Sequence, residues 1–340
     1  MAINPVFLGH GIFAEYGIKD ALRRFERYGA APGSPQPTWD LRIERFVQAL
    51  QDMEVATLWL QLFSRGPKKF DDVGEESYGH RKTLLSKLAS ANIKWVGWGY
   101  TSGKNWQRDK EWISELKNDL GMSAYVIDAE PGNKIYWHPD FPDDPDKKLP
   151  DIWKLADFDK FTDAVSTLFG KDNLALSTWP VLQIQNEPAH DLPVIDLMKI
   201  AAPKVCLFAP QAYWMNYPGR VHYETLGYDK HDYPPENPES FVRLVIQSWK
   251  DAGIVNPLVI TGQAYWGEGS SPSKSTMSAK VKYFTEHFHG WNQILGFNWY
   301  HAGMANTDAK GSMSDKMIEH IKAAHLGGRP YLQPQDSAVA

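Results

Sequence analysis

Asp128 and Glu130 stand two residues apart at the end of an apolar run, Tyr125-Val126-Ile127-Asp128-Ala129-Glu130-Pro131. If that run is a strand, its period of two puts both carboxylates on one face. Neighbouring carboxylates do not ionise equally, because the charge on one disfavours the charge on the other. A proton retained on Glu130 near neutral pH would make it a general acid able to protonate the oxygen between two sugars. Asp128 would stay ionised and stabilise positive charge on the substrate. The competing description is a pair of ordinary solvated or ion-paired loop carboxylates.

Polar and aromatic side chains recur at the ends of other apolar runs. Two of these runs close with the same four residues, Gln211-Ala212-Tyr213-Trp214 and Gln263-Ala264-Tyr265-Trp266. Within each, Gln and Tyr share a face while the alternate Trp points elsewhere. Another run ends Phe297-Asn298-Trp299-Tyr300-His301, and another Ser177-Thr178-Trp179-Pro180. The expected surroundings of the carboxylates are therefore Gln211, Tyr213, Gln263 and Asn298 as hydrogen-bonding groups, with Trp179 and Trp299 offering apolar faces to sugar rings. Tyr100 and His10, near the ends of the third and first runs, complete the candidate set. Such a ring suits a neutral polyhydroxylated ligand better than an anion. The 14 Trp, 15 Tyr and 15 Phe supply stacking surfaces in excess, although buried aromatics also simply fill cores.

The elements that must hold these residues are legible from hydrophobic periodicity. Eight short apolar runs, 5–11, 55–63, 93–100, 124–130, 174–179, 205–213, 258–263 and 294–300, read as strands covered on both faces. Amphipathic helical stretches separate them. Gly121, Gly170, Gly253 and Gly290 stand where a left-handed residue ends a helix, and Asn237-Pro238 reads as an N-cap followed by Pro at the first helical position. Eight strand-helix units over 340 residues predict a single α/β domain, a (β/α)₈ TIM barrel over 1–326 with a loosely ordered tail over 327–340. An open doubly wound sheet is the competing fold, but Gly9-His10-Gly11 lacks the third glycine of a dinucleotide fingerprint. Segments after the strands are long and those before them short, which places a working face at the C-terminal strand ends.

Composition narrows the partners. A net charge of -5 with scattered Lys and Arg argues against nucleic acid. The single Cys206 excludes an internal disulfide or a Cys-based zinc site, and His287 and His289 lack the spacing of a helical metal pair. No cofactor is expected. No run of eighteen apolar residues and no basic, apolar leader occurs at the N-terminus, so the reading is a soluble protein that acts away from membranes and either stays inside the cell or leaves it by another route.

Ile127-Asp128-Ala129-Glu130 on the fourth strand, Ala209-Pro210-Gln211-Ala212-Tyr213 on the sixth and a Trp-bearing eighth strand together resemble the family 25 glycoside hydrolases, lysozymes that cleave peptidoglycan. The Asp-x-Glu pair is also similar to that of the family 18 chitinase group. These resemblances imply a single barrel and a mechanism retaining configuration. Glu130 would be the acid, Asp128 would help the substrate's own N-acetyl group act as nucleophile, and Tyr213 would contact the acetamido group; Gln211 matches less closely. The first strand offers only His10 where family 25 carries another Asp, and Ser123 and Val126 stand where the chitinase signature has two more. A second motif, Asn186-Glu187-Pro188, is similar to that of a large clan of retaining glycosidases, with Glu187 as acid/base. It falls after the fifth strand, not on the fourth, and no carboxylate closes the seventh. The expectation is a glycoside hydrolase acting on a polysaccharide, N-acetylated ones included; the alternatives are catalysis from Glu187 and a non-catalytic glycan-binding barrel.

Overall fold

The structure, a computed structural model, describes residues 2–14, 18–63, 75–101, 103, 105–130, 153–185, 194–214, 227–229, 231–234, 237–266, 273–302 and 313–334, with the backbone alone of 75–79 and 184–185. The strands are β1 (Gly9–Ala14), β2 (Thr57–Phe63), β3 (Lys94–Thr101), β4 (Tyr125–Ala129), β5 (Leu174–Thr178), β6 (Leu207–Ala212), β7 (Val259–Gln263) and β8 (Gly296–Tyr300). All are parallel and close in chain order into one barrel, the predicted (β/α)₈ architecture. The helices described are α1 (Ile18–Arg24), α2 (Trp39–Asp52), α3 (Glu75–Ser90), α4 (Trp106–Leu120), α5 (Leu155–Phe169), α6 (Leu182–Gln185), α7 (Val194–Ala201), α8 (Pro238–Asp251), α9 (Lys274–His287) and α10 (Asp315–Ala323). None among the described residues is long and apolar enough to cross a membrane.

Strand alternation divides the apolar residues into two cores. Phe13, Trp59, Val96, Trp98, Val126, Ala175, Ala209 and Val259 point into the barrel and pack on one another. Ile12, Leu58, Leu60, Ile127, Leu176, Phe208, Ile260 and Phe297 point outward into the layer shared with the helices. Both faces being buried explains why the strands read as continuous apolar runs. Helix ends obey local chemistry. The Thr38 side chain accepts from the Leu41 N–H to start α2, and Gly121 closes α4 at φ 64°, a left-handed conformation that costs glycine least. Gly290 is different from expectation. Its φ of −84° is right-handed, and it opens the short 3₁₀ turn Trp291–Gln293 that leads into β8. Asn237 does precede α8 with Pro238 at its first position, but its side chain makes no capping bond.

The N-terminal boundary also moves. Pro5–Phe7 is a 3₁₀ turn, not the start of a strand, because Asn4 Oδ1 accepts from the Val6 N–H and Pro5 presets the turn. Val6 and Phe7 pack into the barrel interior beside Leu295 and Leu207 at its N-terminal end. β1 consequently runs from Gly9 to Ala14, which places His10 at the bottom of the barrel, on the outward face it shares with Ile12 and Ala14. The sequence assignment of His10 to the mouth is thus corrected. Its Nδ1–H donates to the Glu54 carbonyl at 3.2 Å, and burial lowers its pKa to about 4. Residues 327–334 likewise differ from the expected loose tail. The Leu332 N–H donates to the Ile294 carbonyl at 2.9 Å, Tyr331 is buried, and Leu332 packs against the inner core; 335–340 lie outside the described residues.

Trp299 is the second correction. Adjacent to inward-facing Asn298, it must face outward, and it is fully buried in the helix layer, edge-on to Phe284 of α9 at 5.9 Å and to Trp214 at 6.0 Å. It packs the barrel wall and offers no face to a ligand. Gly262 makes room for this cluster: a Cβ there would collide with the Phe297 ring and stand 2.8 Å from the Trp214 ring.

Two outcomes follow from these packing relations. Gly262→Ala should cost about 1–3 kcal/mol through overpacking, read from urea denaturation; wild-type stability would contradict the close fit. His10 is neutral in the fold below the pH at which it protonates when unfolded, with a pKa lowered from 6.5 to about 4. The unfolded chain therefore binds the extra proton between these values, and stability declines as pH falls through that window, by about 3 kcal/mol in all. His10→Asn should flatten that part of the unfolding profile, and an unchanged slope would show that His10 does not control it.

Candidate active site

The C-terminal ends of the strands carry an inward-facing set that alternation fixes. β4 sends Val126 into the core and Asp128 above it, and Glu130 follows one residue beyond the strand. Asp128 is 6% exposed and Glu130 is half-buried. The Asp128 carboxylate is held from β6: Gln211 Nε2 donates to Asp128 Oδ1 at 2.9 Å and to Ser177 Oγ on β5 at 3.2 Å. From β3, the Thr101 hydroxyl donates to the Asp128 carbonyl at 3.0 Å, tying the two strand ends together. Tyr100 stands directly beside Asp128 in the β3–β4 register and faces the same interior. Behind β4, burial and then the charges of Asp109 and Asp128 hold the Tyr125 phenol well above its ordinary pKa, so it stays neutral.

Across the mouth, three phenols form one wall. The rings of Tyr213 and Tyr300 are 5.0 Å apart, Tyr265 lies 5.8 Å from Tyr300 and 5.9 Å from Tyr213, and Phe13 supports Tyr300 from below at 5.8 Å. Phe13 in turn packs on Trp59 at 4.8 Å and Trp98 at 5.3 Å, and the Trp98 Nε1–H donates to the Trp59 carbonyl at 3.0 Å. This aromatic layer floors the interior under the polar one. Trp179 follows the last residue of β5 and is buried. Asn298 faces inward over Gly11, where any Cβ would collide with its Oδ1, and both Asn298 and Gln263 are buried. None of these strand-end residues is Lys or Arg.

Of the residues singled out from the sequence, Asp128, Tyr100, Gln211, Tyr213, Gln263 and Asn298 fall on this inward face, and Glu130 and Trp179 stand one residue past the ends of β4 and β5. His10 and Trp299 do not. Glu187 lies outside the described residues. Gln61, Ser177, Tyr265, Tyr300 and His301 join the set without having been assigned to it. His301 is buried against Tyr300 with ring centres 4.7 Å apart. The signal for Tyr265 and Tyr300 was the same period of two that selected Gln263 and Asn298. Gln61 was marked by being an amide within Thr57-Leu58-Trp59-Leu60-Gln61-Leu62-Phe63, an otherwise almost wholly apolar strand. Among the described residues no three His, Cys, Asp or Glu side chains gather closely enough to hold a metal ion.

The arrangement offers one carboxylate fixed by an amide, a second carboxyl half open to solvent on the same wall, and phenols opposite. That combination can transfer a proton to a bound ligand and hold apolar and hydroxyl-bearing surfaces without attracting an anion.

No protein-family model matches the chain, and no curated protein matches its sequence. Its three-dimensional structure does have counterparts. A β-glucosidase from Exiguobacterium marinum superposes with a TM-score of 0.53 at 12% identity, covering 94% of this chain and 98% of that one. The endo-1,4-β-mannanase of Rhizomucor miehei gives 0.52 at 10% identity, covering 94% and 95%. A β-glucosidase from Thermotoga maritima in complex with cyclophellitol gives 0.52 at 10% identity, covering 97% and 100%. At such identities the likeness establishes a shared fold: the chain has the barrel on which these glycosidases are built.

Proposed function

We propose that this protein is a glycoside hydrolase acting on a polysaccharide of neutral sugars, N-acetylated ones included, with Glu130 as general acid and Asp128 as the orienting carboxylate. The observation that carries the proposal is the anchored carboxylate on β4, Asp128 fixed by Gln211 at 2.9 Å; Glu130 follows two residues on, where continued alternation would put it on the same face. The phenol wall opposite and the lack of Lys or Arg among the described strand-end residues support a neutral, hydroxyl-rich ligand. The shared fold with glucosidases and mannanases is consistent with the same class of chemistry.

In this mechanism the Glu130 carboxyl gives its proton to the glycosidic oxygen as the bond to the anomeric carbon breaks. On an N-acetylated sugar, the acetamido oxygen of that same sugar forms the new bond to the anomeric carbon. Asp128, ionised, accepts the acetamido N–H and stabilises the positive charge that the ring acquires. The Glu130 carboxylate then takes a proton from water as that water attacks the anomeric carbon and the bond to the acetamido oxygen breaks, its electrons returning to the acetamido group, and configuration is retained. Tyr213 hydrogen-bonds the acetamido oxygen and orients it for attack. Trp179 and Tyr300 supply surface against which sugar rings rest.

Glu130→Gln should retain the fold and slow turnover of polysaccharide substrates by about 10² to 10⁴, while Glu187→Gln should be mild. An inactive Glu187 variant beside an active Glu130 variant would move the acid to the Asn-Glu-Pro motif. Turnover of no member of a panel of chitin, peptidoglycan and β-glucan fragments would leave a glycan-binding barrel.

Tyr213→Phe should lower kcat roughly tenfold on N-acetylated oligosaccharides and much less on matched sugars without the acetamido group. Equal losses on both would exclude participation of the acetamido group.

A further inference from the structure

Gln211 faces the barrel interior at the end of β6, yet its amide is already engaged within the protein. Nε2 has two hydrogens; one goes to Asp128 Oδ1 at 2.9 Å and the other to Ser177 Oγ at 3.2 Å, and the side chain is 6% exposed. An amide nitrogen so engaged has no hydrogen left for a sugar hydroxyl. Three consecutive strands, β4, β5 and β6, each contribute one member of this chain of contacts. The geometry points to Gln211 as a positioning residue that sets the rotamer of the Asp128 carboxylate and favours its ionised form, with Ser177 fixing the amide in turn.

This rests on the proposed role of Asp128. An amide donor holds the ionised carboxylate in place without adding a charge that would compete with the developing positive charge. A cation at position 211 would hold Asp128 more tightly but would oppose charge building on the sugar ring. The residue at 211 therefore tunes catalysis through Asp128, with neither Nε2 hydrogen left to donate to the substrate.

A double-mutant cycle separates this role from direct substrate contact. Gln211→Met keeps the side-chain length and removes the donor; it should lower kcat roughly tenfold to a hundredfold, the range for losing one hydrogen bond to a charged group, with KM unchanged. Asp128→Ala should lower kcat further still, and adding Gln211→Met to it should cost nothing more. If Gln211→Met raises KM, or if its loss multiplies with that of Asp128→Ala, Gln211 contacts substrate and the positioning role is overturned. If Asp128→Ala alone leaves kcat at the wild-type value, the assignment of Asp128 itself fails and Gln211 falls with it. Ser177→Ala provides the same cycle with a smaller change in the barrel interior: a few-fold, kcat-only loss that vanishes in the Asp128→Ala background supports the relay, and one that persists there overturns it.

Discussion

Everything at the mouth of this barrel depends on closure of eight parallel strands with a strict two-residue alternation. A closed barrel has no edge at which register can slip, so a residue's position is set by two numbers: its parity along the strand and its height above the strand's start. Parity decides between interior and helix layer. Height decides between the packed floor of Phe13, Trp59 and Trp98 and the polar layer of Gln61, Asp128, Ser177 and Gln211. A one-residue change in either would exchange a site residue for a core residue, which is what separates Asn298 from Trp299.

The same constraint explains how a polar layer survives inside a protein. Buried amides and carboxylates are costly unless they are paired. Here neighbouring strands supply the partners: Thr101 on β3 serves the Asp128 carbonyl, and Gln211 on β6 serves the Asp128 carboxylate and Ser177 together. The hydrogen bonds run across strands that backbone pairing already holds at fixed spacing, so little side-chain freedom remains to be lost. The aromatic layer below keeps this network at the mouth and excludes water from the barrel's middle.

Aromatic residues divide into two populations with different work. Trp214, Phe284, Phe297 and Trp299 cement the wall between β6 to β8 and α9, with Gly262 admitting them. Tyr213, Tyr265 and Tyr300 form the wall of the mouth, and their phenol oxygens give them a reason to sit at a boundary between packed interior and ligand. The tryptophans belong mostly to structure, and the tyrosines frame the site.

The sequence alone determined the strand number, the parallel barrel and the place of Asp128 at the end of β4, because these depend on local periodicity that neighbouring residues reveal. It determined equally that Gln and Tyr at 211 and 213, and at 263 and 265, point together. Height was harder to read. Four apolar residues at 5–8 look like a strand, and only the turn begun by Asn4 and Pro5 shows that β1 starts at Gly9, leaving His10 at the opposite end from the mouth. Trp299 is chemically suited to stacking on sugar rings, but its parity beside Asn298 turns it outward into the helix layer. What only the tertiary structure decided are the pairings across the barrel: Gln211 meets Asp128 across 83 residues of chain, and the three phenols meet from β6, β7 and β8. Such contacts arise from barrel closure and register, which no local pattern encodes, so the partner of a buried carboxylate becomes visible only when the strands are brought side by side.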